Sequence, residues 1–404
     1  MSSPAIHLQH TSRQVWSAVL AMSLCAFALV ASEFLPVSLL TPIASDLSLT
    51  EGQAGQAISI SGFFAVVTSL MLASMTQGID RKPVLLATTA LMLISGGMVA
   101  FAPNYLTLMV GRAVLGIAIG GYWSMSTAVM MRIAPERLVP KAIAVMQGGT
   151  ALATAIAAPV GSYLGGMIGW RGAFFCVLPL AALALMWQAF TLPAMPSERN
   201  AASATGSLRL LADSRVALGM AAVAFLFMGQ FTLFTYLRPF LETVTHVDVP
   251  TLSLLLLIIG AAGLVGTMVV GTLVGRHLNR VLLGVPLIMT AIAFAVITVG
   301  SWVVPVAVLL GIWGLVSTCA PVGWFTWLAK ALPHQAEAGG GLMVAVIQLA
   351  ITAGATVGGV LYDGFGHQAT FLASGVFLLA ATALSVVTNR ALPGTSRIPN
   401  GTSQ

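Results

Sequence analysis

Twelve long apolar runs separated by short polar gaps follow one another along the chain, beginning near Val15, Gln53, Val84, Leu106, Ala142, Gly172, Val216, Thr251, Val281, Val306, Leu342 and Ala369. A helix needs about 20 apolar residues to cross a bilayer core of about 30 Å, and each run is long enough. Segments of alternating polarity, the mark of a membrane β-barrel, are absent. The pattern therefore predicts an all-α membrane protein of twelve transmembrane helices. The longest polar stretch, Pro193 to Ser214, is rich in Ala, Ser and Arg and separates six runs from six. It divides the chain into an N-terminal six-helix bundle over 1–192, a flexible cytoplasmic linker over 193–214, a C-terminal bundle over 215–390 and a tail over 391–404.

The halves echo each other. Thr76-Gln-Gly-Ile-Asp80-Arg81 follows the second run and Gly271-Thr-Leu-Val-Gly275-Arg276 follows the eighth. Gly-Ser-Tyr-Leu from Gly161 and Gly-Gly-Val-Leu from Gly358 precede the matched pairs Gly169/Phe174 and Gly366/Phe371. Matches at equivalent places point to two pseudo-symmetric bundles from a duplicated unit. Such halves place a substrate site at their interface near mid-membrane and rock against each other. A receptor or scaffold has no need of the duplication.

Charge then orients the bundle. Only 7% of residues are charged, far below the ~25% of soluble domains. Fourteen basic residues fall in gaps on one side: Arg13, Arg81, Lys82, Arg132, Arg137, Lys141, Arg199, Arg209, Arg215, Arg276, Arg280, Lys330, Arg390 and Arg397. The other side has Arg171 and Arg238, and Arg112 lies within a run. The positive-inside rule puts both termini in the cytoplasm of a multi-pass inner-membrane protein. The net charge of +6 is thus an insertion signal, and no nucleic-acid partner is expected. The first run continues through Phe34 to Leu40, past a cleavage-like Ala-Leu-Val-Ala-Ser, and reads as a retained span. Cys25, Cys176 and Cys319 sit within runs without metal spacing, so neither a metal nor a disulfide is expected.

Glu33 and Arg112 each lie six or seven residues from the outer end of their spans, about 10 Å deep at 1.5 Å per residue. Charges at that depth face a cavity or a partner. Glu33 is expected to carry a proton and Arg112 to tune it, the alternatives being a static ion pair or a snorkelling carboxylate. Amide and aromatic groups supply a candidate substrate set: Tyr122, Trp123, Gln147, Gln230, Phe234, Trp313 and Gln348. An apolar pocket with a few amides suits a neutral, partly aromatic ligand. Trp324, Trp327 and Tyr236 read equally as an interfacial belt. Gly116, Gly120 and Gly121 offer a small-residue face, and Pro159 weakens the fifth span. Phosphate loops, metal-spaced histidines and nucleophile elbows are missing, so the chain reads as no enzyme, with no cofactor, driven by an ion gradient.

Leu108-Met-Val-Gly-Arg112-Ala-Val-Leu-Gly116 and Ala158-Pro159-Val-Gly161 resemble span-four and span-five motifs of the major facilitator superfamily, in its drug:proton antiporter branch. In the span-five motif Ala replaces the usual Gly before Pro. Asp80-Arg81-Lys82 stands where that family's cytoplasmic loop motif belongs, shortened and without its leading Gly. The resemblance implies roles for Gly116, Pro159, Gly161, Asp80 and Arg81 in the motifs, and for Arg112 in proton coupling. Glu33-Phe-Leu-Pro-Val-Ser-Leu-Leu-Thr-Pro42, Gly121-Tyr-Trp-Ser-Met-Ser126, Pro321-Val-Gly-Trp-Phe-Thr-Trp327 and Val344-Ala-Val-Ile-Gln-Leu349 are similar to the bacterial purine ribonucleoside efflux pumps. That closer likeness implies exchange of inosine- and guanosine-type nucleosides for protons, and a monomer is expected. Exporters of arabinose-type sugars share the Glu-Phe-x-Pro element, and a broader sugar or drug exporter is the alternative.

Overall fold

Short polar residues cap the helices where the apolar runs begin. Thr50 accepts the backbone N–H of Gln53, whose side chain returns the bond, a capping box. Asp80, Asn104, Asp213 and Asp248 each accept a first-turn backbone N–H at later helix starts. The computed structural model describes residues 12–76, 78–196, 209–332 and 336–391, and among them it contains no strand.

The helices are α1 (Ser12–Ser38), α2 (Leu40–Asp46), α3 (Glu51–Met75), α4 (Arg81–Ala100), α5 (Tyr105–Ile133), α6 (Val139–Phe175) and α7 (Leu178–Thr191) in the first half. The second half has α8 (Ser214–Phe234), α9 (Leu237–Thr243), α10 (Val249–Val299), α11 (Val303–Ser317), α12 (Cys319–Ala331) and α13 (Ala336–Ala391). Among the described residues, ten stretches are long and apolar enough to cross a membrane. Two of these, of 56 and 50 residues, each hold two crossings, which makes twelve. Their reversals fall at Gly169 (φ 76°) and Gly366 (φ 77°), left-handed positions that favour glycine. The same device recurs at matched places in the two halves, and the aromatic residues that follow, Phe174 and Phe371, are both buried.

Each half has its own core. Met22, Leu29, Leu115 and Tyr122 belong to the first, and Leu226, Phe240, Trp313 and Trp324 to the second. Trp324 and Trp327 are each 1% exposed, so they pack inside and form no interfacial belt. Tyr236 is likewise enclosed. Large apolar side chains such as Phe190, Met268 and Val304 point outward, as a surface facing lipid requires. The halves meet along two seams, α3 against α13 and α6 against α10. Residues 197–208, most of the sequence-defined linker, lie outside the described residues, as does the tail beyond 391.

Candidate functional site

Among the described residues, the hydrogen bonds joining the halves all lie away from the basic end of the bundle. Farthest from it, Asp363 of α13 accepts from Thr50 Oγ1 (2.6 Å) and from the Gly52 N–H (2.9 Å) at the start of α3. A Cβ on Gly52 would strike the Asp363 carboxylate and come within 2.7 Å of the Gly359 carbonyl, so the seam closes this tightly only on glycine. Nearby, Arg238 donates to Glu242 (2.8 Å) and to the Ser38 carbonyl across the halves. Deeper in, Ser59 and Thr352 exchange bonds with each other's carbonyls (3.3 Å each), and Thr356 donates to Ser59 Oγ (2.9 Å).

The innermost bond is the informative one. Gln348 Nε2 donates to Glu33 Oε1 at 3.1 Å, from α13 to α1, with both side chains buried. One turn of α1 therefore presents its carboxylate to the opposite half. Arg112 holds that turn from behind, fully buried, donating Nη1 to the Ser32 carbonyl (2.7 Å) and Nη2 to the Glu33 carbonyl (2.9 Å). Its Nε donates to the Ala57 carbonyl (2.8 Å), and Nη2 also reaches Ser61 Oγ (3.1 Å). The sequence suggested an ion pair as one alternative. Instead, the guanidinium bonds the backbone of Glu33 rather than its carboxylate. Buried charges survive only when every donor is satisfied, and this fork spends its donors on two helices at once. Gly116 allows it: a Cβ there would collide with the Ser61 carbonyl and lie 2.8 Å from Phe64 Cβ. A void of about 10 Å³ beside Arg112 and Ser32 has room for about one water.

The remaining sequence candidates separate. Phe34, next to Glu33, stacks on Phe231 of the other half (centroids 5.6 Å, 26°), and Phe231 meets Phe234 edge-on at 6.1 Å. Trp123, like Phe27 and Phe34, packs against the small cluster around Val30 and Ala31. Gln230 immediately precedes Phe231, and its Oε1 is buried without a hydrogen-bond partner. Tyr122 and Trp313, by contrast, sit in the cores of separate halves, Tyr122 donating to the Met22 carbonyl at 2.7 Å. Gln147 is exposed in the basic-end half of α6. The structure does not bring these three to the Glu33 region. Gly161 packs against Leu35 and Ser38 of α1, and α6 continues helically through Pro159, which borders an apolar groove of about 340 Å³ facing Leu254 and Leu257.

Asp80 and Arg81 work locally. The Asp80 carboxylate accepts the Met195 N–H (2.9 and 3.0 Å), the Arg81 N–H donates to the Met195 carbonyl (3.0 Å), and Arg132 donates to the Pro196 carbonyl (2.8 Å). They clasp the chain as it leaves α7. At the opposite end Asp46 accepts from Arg171 (2.5 Å) and Trp170 (3.2 Å), while Arg171 caps the Ala102 carbonyl. The Arg171 hydrogen bond holds the Asp46 carboxyl below the ordinary carboxylate range.

Sequence reasoning missed Phe34, Phe231, Asp363 and the seam serines and threonines. Asp363 and Thr50 are separated by 313 positions, and no local signal connects them.

Two half-bundles of six crossings, meeting around a buried carboxylate, define a membrane transporter. A profile of the Major Facilitator Superfamily matches residues 22–349, and the chain belongs to that family. It is 55% identical to "Transcription regulatory protein OpdE" of Pseudomonas aeruginosa over 93% of this chain and 94% of the relative. It is 42% identical to "Purine ribonucleoside efflux pump NepI" of Salmonella enteritidis, again over 93% and 94%. Among solved structures, a bacterial homolog of the human lysosomal transporter Spinster, in an inward-facing and unoccupied conformation, superposes with a TM-score of 0.75 at 15% identity over 94% of this chain and 98% of that one. A D-xylose-proton symporter gives 0.73 at 16% identity, over 95% and 99%. These two establish likeness of fold.

Proposed function

We propose that the protein exports purine ribonucleosides across the bacterial inner membrane in exchange for protons, with the basic end cytoplasmic. The 42% identity to a purine ribonucleoside efflux pump supports the substrate class. The single observation that carries the coupling is the Glu33–Gln348 bond across the halves. In this conformation the seam farthest from the basic end is closed, so Glu33 lies between that seal and the cytoplasmic side. Glu33 as carboxylate accepts the Gln348 amide proton and ties the halves together. When the seam opens, a proton from outside neutralises Glu33, the bond weakens, and nucleoside leaves. Return to the inward-facing form releases the proton inward. Arg112 is a positioning residue: it fixes the Glu33 backbone so that only the carboxyl moves.

The test is uptake of labelled inosine, arabinose and a cationic drug into proteoliposomes with an imposed pH gradient. Inosine accumulates and the others do not. Accumulation of arabinose or the drug without inosine overturns the substrate assignment and leaves the fold intact.

A further inference from the structure

Gln230 is the one candidate amide whose oxygen is buried and unpartnered beside the aromatic residues joining the halves. A buried carbonyl oxygen without a donor is unfavourable, and folded proteins retain few of them. Nothing in the local helix requires an amide here. Its neighbours on α8 are Phe231, which stacks on Phe34 across the halves, and one turn on, Phe234, edge-on to Phe231. Phe34 and Phe231 already touch, so a flat ring stacks against an open face of this aromatic group, and residue 230, on the same helix face as Phe234 at i,i+4, then meets the ring's edge. The group needed at that edge is an N–H donor. A side-chain amide presents an acceptor and a donor side by side, and so does the lactam edge of a 6-oxopurine, with N1–H next to O6.

We propose that Gln230 is a specificity-determining residue that accepts the N1–H of a 6-oxopurine stacked against Phe234 and the Phe34–Phe231 pair. This rests on the transport reading above and adds which edge of the base is read, and by which atom. The base is thus recognised at the seam between the halves, adjacent to Glu33. Separation of the halves parts Phe34 from Phe231 and exposes Glu33 together, so release of the base and access of the proton are one movement.

The test compares inosine with 1-methylinosine, which keeps the ring, O6 and ribose but lacks the N1–H. Binding is read as competition against labelled inosine on the purified full-length protein in detergent, for the wild type and for Gln230→Met. Met is similar in length and suits a helix interior. A site built around a hydrogen bond rejects an analogue lacking it, so the wild type should bind 1-methylinosine about tenfold or more weakly than inosine. In Gln230→Met the two should bind within about twofold of each other, with inosine weakened toward its analogue. Discrimination that survives in Gln230→Met is steric and overturns the assignment. Equal binding of both by the wild type overturns it whatever the variant does, including a variant that fails to fold. Binding of arabinose but of no purine nucleoside is the distinct result that removes the nucleoside assignment on which this inference rests.

Discussion

Asp363→Ala removes the acceptor that ties α13 to the start of α3, and its effect can be worked from the geometry. Two hydrogen bonds to a carboxylate are lost, at 2.6 and 2.9 Å, one exposed and one half-buried. Partly exposed bonds of this kind are worth about 1 kcal/mol each. The favourable field of a helix N-terminus on an anion contributes about 0.5 kcal/mol more. Against this, Glu51 and Glu242 share the region with Asp363, so its removal relieves repulsion. Between partly exposed carboxylates that relief is about 1 kcal/mol or less. The bonds win, leaving a net loss of about 1.5 kcal/mol, or a shift of about tenfold toward separation of this seam. The assay is the distance between spin labels at Phe101 and Trp302, exposed loop positions on the two halves at this end. Of the free cysteines only Cys176 is exposed and needs replacing; Cys25 and Cys319 are buried. Asp363→Ala should enrich the long-distance population, and Asp363→Asn, which keeps one acceptor, should do so less. An unchanged distribution refutes the reasoning. A shift toward the short distance in Asp363→Asn shows that repulsion dominates.

Other perturbations probe the framework. Arg112→Lys keeps the charge but loses the planar fork, stranding carbonyls on α1 and α3; stability should fall by about 3 kcal/mol, seen as a lower melting temperature in detergent. A melting temperature unchanged from wild type contradicts this. Asp46 is lowered below its ordinary range by Arg171, so the bridge contributes above the unfolded pKa of about 3.9 and is lost as pH falls through and below it. Wild type should therefore exceed Asp46→Asn in thermal stability at neutral pH, with the difference narrowing as pH falls below about 4 and closing below the lowered folded-state pKa. A difference that does not narrow at all as pH falls below about 4 argues against the assignment of the effect to this carboxyl.

The crossings were legible because lipid enforces them: an unbroken apolar run has no alternative to a helix. Caps at Thr50, Asp80 and Asn104, seen only in the structure, fix where those crossings start. Glu33 and Arg112 stood out for the same reason, being charges where charge is expensive. Their relationship was not legible, since equal depth says nothing of direction, and the guanidinium bonds backbone where a carboxylate was considered. Gln348 was singled out as an amide at depth, for substrate, and the fold turns it toward Glu33. Tyr122 and Trp313 looked the same as Phe234 in sequence; only packing separates core aromatics from those at the seam. The clasp of Asp80 on Met195 joins positions 115 apart and depends on where α7 ends.

Gradient-driven accumulation by Glu33→Gln tests the central claim most directly. In proteoliposomes carrying an imposed pH gradient, wild type should accumulate labelled inosine above equilibrium and lose it on addition of a protonophore. Glu33→Gln should keep inosine exchange at equal concentrations but accumulate nothing in response to the gradient. Full gradient-driven accumulation by Glu33→Gln contradicts the account.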